Sequence, residues 1–342
     1  MTDDSDVPVQ ALLDALPEPC LAVSEGMVIG SNAAARAVLG AWIDGEDVRL
    51  VLRQPAALER LLGDVAGSEE VELVSLGGPE RRWMMTVAPL GETVRLARLF
   101  DRSEAYAAEQ MRVDFVANAS HELRTPLATL VGYAETLREQ GDEIDSATRE
   151  RFTAIIHDEA RRMQRLVEDL ISLSRIEGER FTQLTDLLAL APLIEEARVN
   201  CANHAAERGC RVEIEAADTL PRILGDRSQL LQLLDNLIGN AIRYGRAEGL
   251  IRARVTREGE MLRLSIADQG EGIPAEHIPR ITERFYRVDA SRSRALGGTG
   301  LGLSIVKHIV ERHRGRLFIE SRVGQGTIVH VLLPAARPGL SQ

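Results

Sequence analysis

This sequence contains no apolar stretch that is long enough to cross a membrane. Its longest uncharged apolar run, Leu187 to Ile194 (LLALAPLI), is far shorter than the roughly 18 residues that a spanning helix needs. The N-terminus, MTDDSD, is acidic and lacks the basic start and apolar stretch of a signal peptide. These absences predict a soluble, cytoplasmic protein with no membrane span, unless the chain is part of a longer, membrane-anchored protein.

Cysteine and basic charge are also scarce. The three cysteines are odd in number and lack Cys-x-x-Cys spacing, which excludes a disulfide framework and a zinc site. Acidic residues outnumber basic ones, 52 to 41, and the formal net charge of −11 argues against direct binding of nucleic acid or of an anionic membrane. At 342 residues and 44% hydrophobic content, the chain has room for two or three domains with buried cores.

Residues 7–102 are predicted to form a small α+β domain. Asn32 begins a short helix that ends at Gly40, and the predicted strands span 21–23, 27–29, 70–76, 83–89 and 93–99. This order of elements resembles a PAS sensor domain. No histidine precedes His121, which argues against a histidine-ligated haem in this domain. A dimerisation or regulatory domain without a ligand is an equally good interpretation.

The run FVANASHELRTPL, from Phe115 to Leu127, is predicted to be helical, because apolar residues recur at helical spacing and leave His121 on the opposite, polar side. The carboxylate of Glu122 can hold one ring nitrogen of a neutral imidazole and leave the other free for nucleophilic attack. Pro126 predicts a bend just after the histidine. Taken alone, an exposed histidine on an amphipathic helix is usually a solvated surface residue.

The complete string resembles the H-box of sensor histidine kinases, His-Glu-x-x-Thr-Pro-Leu. That resemblance implies that His121 accepts a phosphoryl group from ATP and that Glu122 stabilises or accepts the proton of the other ring nitrogen. It also implies that Thr125 orients a water for dephosphorylation of a response regulator.

Two long helices are predicted in residues 103–178. The first spans about Glu104–Gln140, Gly141-Asp142 breaks it, and Asp145 or Ser146 begins the second, which ends near Ile176. Each helix has a wide apolar face that an isolated hairpin cannot bury. We therefore expect two chains to pair into a four-helix bundle, as the family resemblance also implies, and the protein to be a homodimer.

Residues 183–335 mix helices with strands, and a short tail, 336–342, follows. The predicted helices span 191–208 and 226–244, and the predicted strands span 250–256, 261–267, 316–320 and 327–333. This pattern is typical of an α/β sandwich with helices on one face of the sheet. The chain as a whole is thus predicted to be a multidomain α+β protein.

Four motifs in this third domain carry groups suited to a nucleotide. Asn236, Asn240 and Arg243 share one helical face, although such a face is usually only solvated. Asp268, with Gly270 and Gly272 after it, follows a predicted strand and is placed to accept a hydrogen bond from an exocyclic amine.

The glycine-rich run 297–303 (GGTGLGL) leads into a helix, where backbone N–H groups and the helix dipole favour phosphates, whereas a flexible linker would not lead into a helix start. The arginine-rich segment 284–294 is suited to a mobile lid over ATP.

In their order along the chain, the four motifs resemble the N, G1, F and G2 boxes of GHKL ATPases. The resemblance implies that Asn236 and Asn240 bind Mg²⁺ and phosphates, and that Tyr244 contacts the base. It also implies that Arg243 and Arg287 approach the phosphates, that Asp268 and Gly272 recognise adenine, and that Gly298, Gly300 and Gly302 shape the lid hinge. Gly270, Thr299 and Leu301 belong to the same boxes and are expected in the ATP site. Two positions depart from the family pattern: Thr282 replaces a frequent Phe, and Arg243 a frequent Lys.

Together the motifs predict a two-component sensor histidine kinase, similar to phosphate-regulon sensors. It would use ATP and Mg²⁺ to phosphorylate His121, pass the phosphoryl group to an aspartate of a separate response regulator, and also dephosphorylate that regulator. One alternative is a GHKL ATPase that does conformational work, but such a protein would lack the His121 helix. The other is a non-catalytic dimer that sequesters a response regulator; it would be expected to lack His121, Asn240 or Asp268, and all three are present.

Overall fold

A computed structural model describes residues 9–63, 70–74, 76–78, 81–91, 93–140, 143–179, 182–217, 219–289 and 298–336. The chain divides into two compact units, Met1–Ala117 and Asn118–Gln342. The predicted helix break at Gly141-Asp142, Gly297, residues 290–294 of the arginine-rich segment and the tail from residue 337 lie outside the described residues. The division into three domains near residues 102 and 178–183 stays a prediction.

The N-terminal unit is built on an antiparallel sheet with the strand order β2-β1-β5-β4-β3. Its strands are β1 (Cys20–Ser24), β2 (Met27–Ser31), β3 (Val71–Val74), β4 (Arg82–Pro89) and β5 (Val94–Asp101). Its helices are α1 (Val9–Asp14), α2 (Ala33–Leu39), α3 (Val48–Val51) and α4 (Pro55–Leu62). The predicted order of two strands, short helices and three strands is therefore present.

Both faces of strand β1, which lies between β2 and β5, are buried, because its alternating side chains enter two different clusters. Leu21 and Val23 belong to the main core, together with Trp83 and Met85 of β4 and Leu99 of β5. The opposite face forms a smaller cluster of Leu13, Cys20, Ala22 and Leu96, which α1 covers.

Asn32 is a buried polar residue, 2% exposed, that joins three segments of this unit. Its side-chain oxygen accepts from the Ala35 amide at 2.9 Å, which caps α2, and from the Cys20 amide at 3.1 Å. Its side-chain nitrogen donates to the carbonyls of residues 13, 16 and 18, at 3.2, 3.0 and 2.8 Å. One amide thus satisfies polar backbone groups from α1, β1 and α2 that would otherwise be buried without partners.

Asn32→Ala is expected to lower the free energy of unfolding of this unit by about 2–4 kcal/mol, because it removes a helix cap and leaves buried backbone groups unsatisfied. The measurement is urea unfolding of the full chain followed by tryptophan fluorescence, since both tryptophans, Trp42 and Trp83, lie in this unit. The control is Arg53→Ala at an exposed position, with an expected change below about 0.5 kcal/mol. Equal effects of the two variants would contradict this role for Asn32.

Two long helices follow, α5 (Ser103–Glu139) and α6 (Ser146–Gly178). The Asp145 carboxylate caps α6 by accepting from the Thr148 amide at 2.8 Å, and α5 continues through Pro126 without interruption. Several apolar side chains remain exposed on this hairpin, including Leu127 at 50% and Ile171 at 64%. No helix in the described ranges is long and apolar enough to span a bilayer.

The C-terminal part of the chain forms a second five-stranded sheet, with the order β11-β12-β10-β9-β7. Its strands are β7 (Arg211–Ala216), β9 (Leu250–Glu258), β10 (Met261–Ala267), β11 (Arg316–Arg322) and β12 (Gly326–Pro334). The pair β7–β9 is parallel and the others are antiparallel. Two short strands, β6 (Asp186–Leu188) and β8 (Ile223–Gly225), pair separately.

Helices α7 (Leu190–Asn200), α8 (Ala202–Glu207), α9 (Arg227–Tyr244) and α10 (Gly302–Arg312) accompany this sheet. Along β9 the side chains of Ile251, Ala253 and Val255 are buried and those between them are exposed, so one face of the sheet carries the core. The predicted α/β sandwich is confirmed. The single helix predicted over 191–208 is wrong, since α7 ends at Asn200 and α8 begins at Ala202; Asn200 and Cys201 are both weak helix formers.

Candidate active site

A cavity of about 360 Å³ lies in the second unit, between α9, the segment after β10, the glycine-rich segment before α10, and α6. It brings together residues from all the separated motifs of the third predicted domain. The predicted residues that line it are Asn236, Asn240, Arg243, Tyr244, Asp268, Gly272, Arg287, Gly298, Thr299, Gly300 and Gly302. Two predicted residues, Gly270 and Leu301, do not line the cavity.

Helix α9 presents its polar face to the cavity because its apolar face is held in the core. Asp226 caps the helix by accepting from the amides of residues 228 and 229, at 2.9 and 3.1 Å. Leu230, Leu233 and Leu237 are at most 2% exposed, which fixes the rotation of the helix. Asn236 and Asn240 therefore face the cavity, and the Asn240 side-chain oxygen accepts from Nη1 of Arg243 at 3.1 Å.

Asp268 is the carboxylate that follows β10, and local backbone fixes its orientation. Its Oδ1 accepts from the amides of Gly270 at 2.7 Å and Thr327 at 3.3 Å. Burial raises the pKa of this carboxyl, and the two backbone hydrogen bonds act in the opposite direction. Gly270 thus serves the site by holding Asp268 in place.

Glycine is required where two loops approach each other beside the cavity. Gly272 and Gly300 have φ angles of +73° and +77°, and a side chain at either position would collide with the backbone of Arg322 or Phe285. The Gly300 carbonyl accepts from the Phe285 amide at 2.9 Å, so the segment that carries Arg287 is tied to the glycine-rich segment. Leu301 is fully buried at the start of α10 and anchors this arrangement.

Helix α6 also contributes to the cavity, which the sequence motifs did not predict. Arg165, Glu168 and Asp169 line it, and Asp169 Oδ2 accepts from the Thr299 hydroxyl at 2.7 Å. Burial raises the pKa of the Asp169 carboxyl, and the hydrogen bond from Thr299 opposes this shift. The three α6 residues Arg165, Glu168 and Asp169 are spaced like the polar residues of any solvated helix face. No signal in the sequence therefore separates them from surface residues.

His121 is exposed on α5, and its neighbour Glu122 connects that helix to the cavity. The Glu122 carboxylate accepts from Nη2 of Arg287 at 2.9 Å and lies 3.5 Å from Nη2 of Arg162. Nη2 of Arg287 also donates to the Thr299 carbonyl at 2.8 Å. The Arg287 side chain is only 6% exposed. The Thr125 hydroxyl, one turn after the histidine, donates to the His121 carbonyl at 3.4 Å.

The groups that line the cavity suit a phosphorylated ligand with a divalent cation. Nε of Arg243 and Nε of Arg287 are buried and have no hydrogen-bond partner in the described part of the chain. Two neutral amides, Asn236 and Asn240, offer oxygen ligands to Mg²⁺, while the described residues contain no cluster of three His, Cys, Asp or Glu side chains that could hold a metal by itself. A cation here would therefore need the phosphates as its other ligands.

Two families match this sequence. Residues 111–179 match the His Kinase A (phospho-acceptor) domain, and residues 225–337 match the histidine kinase-, DNA gyrase B- and HSP90-like ATPase. The phosphate regulon sensor protein PhoR of Pseudomonas aeruginosa is 34% identical over 330 residues, which are 93% of this chain and 74% of PhoR. This chain belongs to the sensor histidine kinases. It is thus a protein-histidine kinase of the two-component type, with an ATPase-type nucleotide domain.

Further relatives match a shorter part of the kinase. The sensor-like histidine kinase SenX3 of Mycobacterium tuberculosis is 39% identical over 71% of this chain and 59% of SenX3. The sensor histidine kinase WalK of Bacillus subtilis is 36% identical over 70% of this chain and 39% of WalK. The chain thus spans between about two fifths and three quarters of these three relatives.

Solved structures support the fold of the kinase. The histidine kinase ThkA, in a crystal structure with the response regulator protein TrrA, aligns with a TM-score of 0.53 at 20% identity and covers 96% of this chain and 98% of ThkA. The Acinetobacter baumannii histidine kinase AdeS aligns with a TM-score of 0.51 at 24% identity, over 64% of this chain and 98% of that one.

Proposed function

We propose that this kinase transfers the γ-phosphoryl group of ATP to the imidazole of His121. The observation that carries the proposal is the contact between Arg287, which lines the cavity, and Glu122, which follows His121 on α5. This contact brings a cationic group suited to phosphate to the residue next to the nucleophile.

In this proposal the cavity binds both the adenine base and the phosphates of ATP. Asp268 accepts a hydrogen bond from the adenine amine, and Tyr244 lies against the base. Arg243 and Arg287 neutralise phosphate charge, and both have a buried Nε that supports a role with an anionic ligand. The backbone around Gly298 and Gly300 and the start of α10 offer N–H donors to the phosphates.

Mg²⁺ would be held by Asn236 and Asn240. Bound there, the ion would neutralise the negative charge that the phosphate oxygens carry during transfer.

The reaction itself needs a nucleophile, a base and charge neutralisation. One ring nitrogen of His121 attacks the γ-phosphorus, a phosphorus–nitrogen bond forms, and the bond to the β,γ-bridging oxygen breaks so that ADP leaves. Glu122 takes the proton from the other ring nitrogen, so that the imidazole ring of phosphohistidine carries no positive charge. Because the carboxylate of Glu122 is engaged by Arg287, this role requires that contact to loosen during the reaction.

The phosphoryl group then passes to an aspartate of a separate response regulator. The solved complex of ThkA with the response regulator TrrA supports this partner by analogy. Exposed Leu127 and Ile171 on the hairpin support the predicted homodimer, since a second hairpin would cover them. The need for ATP supports the predicted cytoplasmic location of this reaction.

For the N-terminal unit we propose a PAS-like sensor or regulatory role. The strand order β2-β1-β5-β4-β3, with helices between β2 and β3, supports this assignment. The similarity to PhoR supports the predicted relation to phosphate-regulon sensors.

His121→Gln is expected to abolish labelling when the full chain is incubated with ATP labelled at the γ-phosphate and with Mg²⁺. The label on the wild type should be lost in acid and kept in base, as phosphohistidine requires. His157→Gln, at an exposed position on α6, is the matched control and should be labelled like the wild type. Label on His121→Gln, or an unlabelled wild type that still binds ATP, would contradict the proposal and favour the regulator-sequestering alternative.

Thr125→Ala is expected to keep labelling of His121 but to lose dephosphorylation of the response regulator, because the hydroxyl lies one helical turn from the histidine and is suited to orient a water. The measurement compares the initial rate of His121 labelling with the decay of phosphorylated regulator. Thr129→Ala, where the hydroxyl also bonds to the carbonyl four residues earlier, is the control for loss of such a bond. Equal loss of both activities would contradict a specific role for Thr125.

A further inference from the structure

Two carboxylates of the helical hairpin occupy groups of the nucleotide domain that are suited to phosphate. Glu122 of α5 holds the guanidinium of Arg287 at 2.9 Å, and Asp169 of α6 holds the Thr299 hydroxyl at 2.7 Å. The two sites are connected, because Arg287 also donates to the Thr299 carbonyl at 2.8 Å. A single linked set of contacts therefore joins both hairpin helices to the cavity.

Carboxylate and phosphate oxygens make the same kind of hydrogen bond to these groups. An arginine fork accepts either anion in a charge-assisted contact, and a hydroxyl can donate to only one acceptor at a time. Asp169 lines the cavity and is mostly shielded from water, so a phosphate placed beside it would meet a weakly screened like charge. The carboxylates and the phosphates therefore exclude each other.

We propose that Glu122 and Asp169 compete with the phosphates of ATP for Arg287 and Thr299. This inference depends on the proposed function, which assigns Arg287 and the glycine-rich segment that contains Thr299 to the phosphates. Binding of ATP would then move Glu122 from Arg287 and free its carboxylate to serve His121. Docking of the hairpin weakens nucleotide binding by the same factor as the nucleotide weakens docking, because the two equilibria are linked.

A second group of contacts, at the C-terminal end of α6, has no part in this competition. Ser172 donates to Oε1 of Gln232 at 2.5 Å, and Gln229 donates to Glu179 at 3.2 Å. Arg284 pairs with Glu177. None of these residues lines the cavity. The nucleotide thus needs to break only the contacts at Glu122 and Asp169, while the end of α6 can keep its position on the nucleotide domain.

The test measures equilibrium binding of a fluorescent ATP analogue to the full chain, with unlabelled ATP, ADP and adenosine as competitors. Asp169→Asn removes the charge, keeps the shape, and is expected to tighten ATP binding about fivefold to tenfold, a usual size for coupling between two sites. The increase in binding affinity should be smaller for ADP and absent for adenosine, which has no phosphate. Glu122→Gln should act in the same direction through a different contact.

Asp158→Asn is the matched control, because this carboxylate lies on the same helix with its side chain 83% exposed, and its affinity for ATP should equal that of the wild type. The proposed competition is overturned if both Asp169→Asn and Glu122→Gln bind ATP as tightly as the wild type or more weakly. It is also overturned if their affinity for adenosine rises as much as their affinity for ATP. Either result would leave the proposed function intact. A wild-type chain that binds no ATP at all would instead overturn the proposed function, and this inference with it.

Discussion

The ion pair between Glu122 and Arg287 is the interaction on which the functional part of this structure depends. Glu122 lies beside His121, the proposed phospho-acceptor on α5, and Arg287 lies 165 residues later in the chain. A guanidinium that is only 6% exposed needs a charged partner, because an unpaired buried charge costs several kcal/mol. The pair therefore fixes where the loop with Arg287 can rest, and with it one wall of the cavity.

Helix α5 follows the N-terminal sheet in the chain and carries His121 and Glu122. It begins directly after β5, and its first residue, Ser103, accepts from the Arg82 amide of β4 at 2.9 Å through its hydroxyl. The Asp101 carboxylate accepts from the Ser103 amide at 2.9 Å, so the start of the helix is anchored on the N-terminal sheet. The same uninterrupted helix carries His121 and Glu122.

Local chemistry made much of this arrangement predictable from the sequence. Helix starts at Asn32, Asp145 and Asp226 follow from side chains that cap helices, and the polar face of α9 follows from helical periodicity. The short strands β6 and β8 were missed because three residues show no period, whereas β7 was missed although Val212, Ile214 and Ala216 alternate with polar residues as in a half-buried strand. The contribution of Asp169 to the cavity was missed because it arises only when α6 packs against the nucleotide domain. Glu122 was predicted as a partner of His121, whereas its engagement by Arg287 depends on a contact between distant segments.

A pair of cysteines at Asp169→Cys and Thr299→Cys tests the central claim, that the hairpin contacts the glycine-rich segment of its own chain, which we propose binds phosphate. Burial raises the pKa of the Cys20 and Cys201 thiols to about 11, so these native cysteines stay protonated near pH 8, and the wild-type chain is the control for them. Mild oxidation of the double variant should give a disulfide within one chain, which runs as a monomer on a denaturing gel, and ATP with Mg²⁺ should slow its formation. No disulfide, or a disulfide only between two chains, would contradict the account.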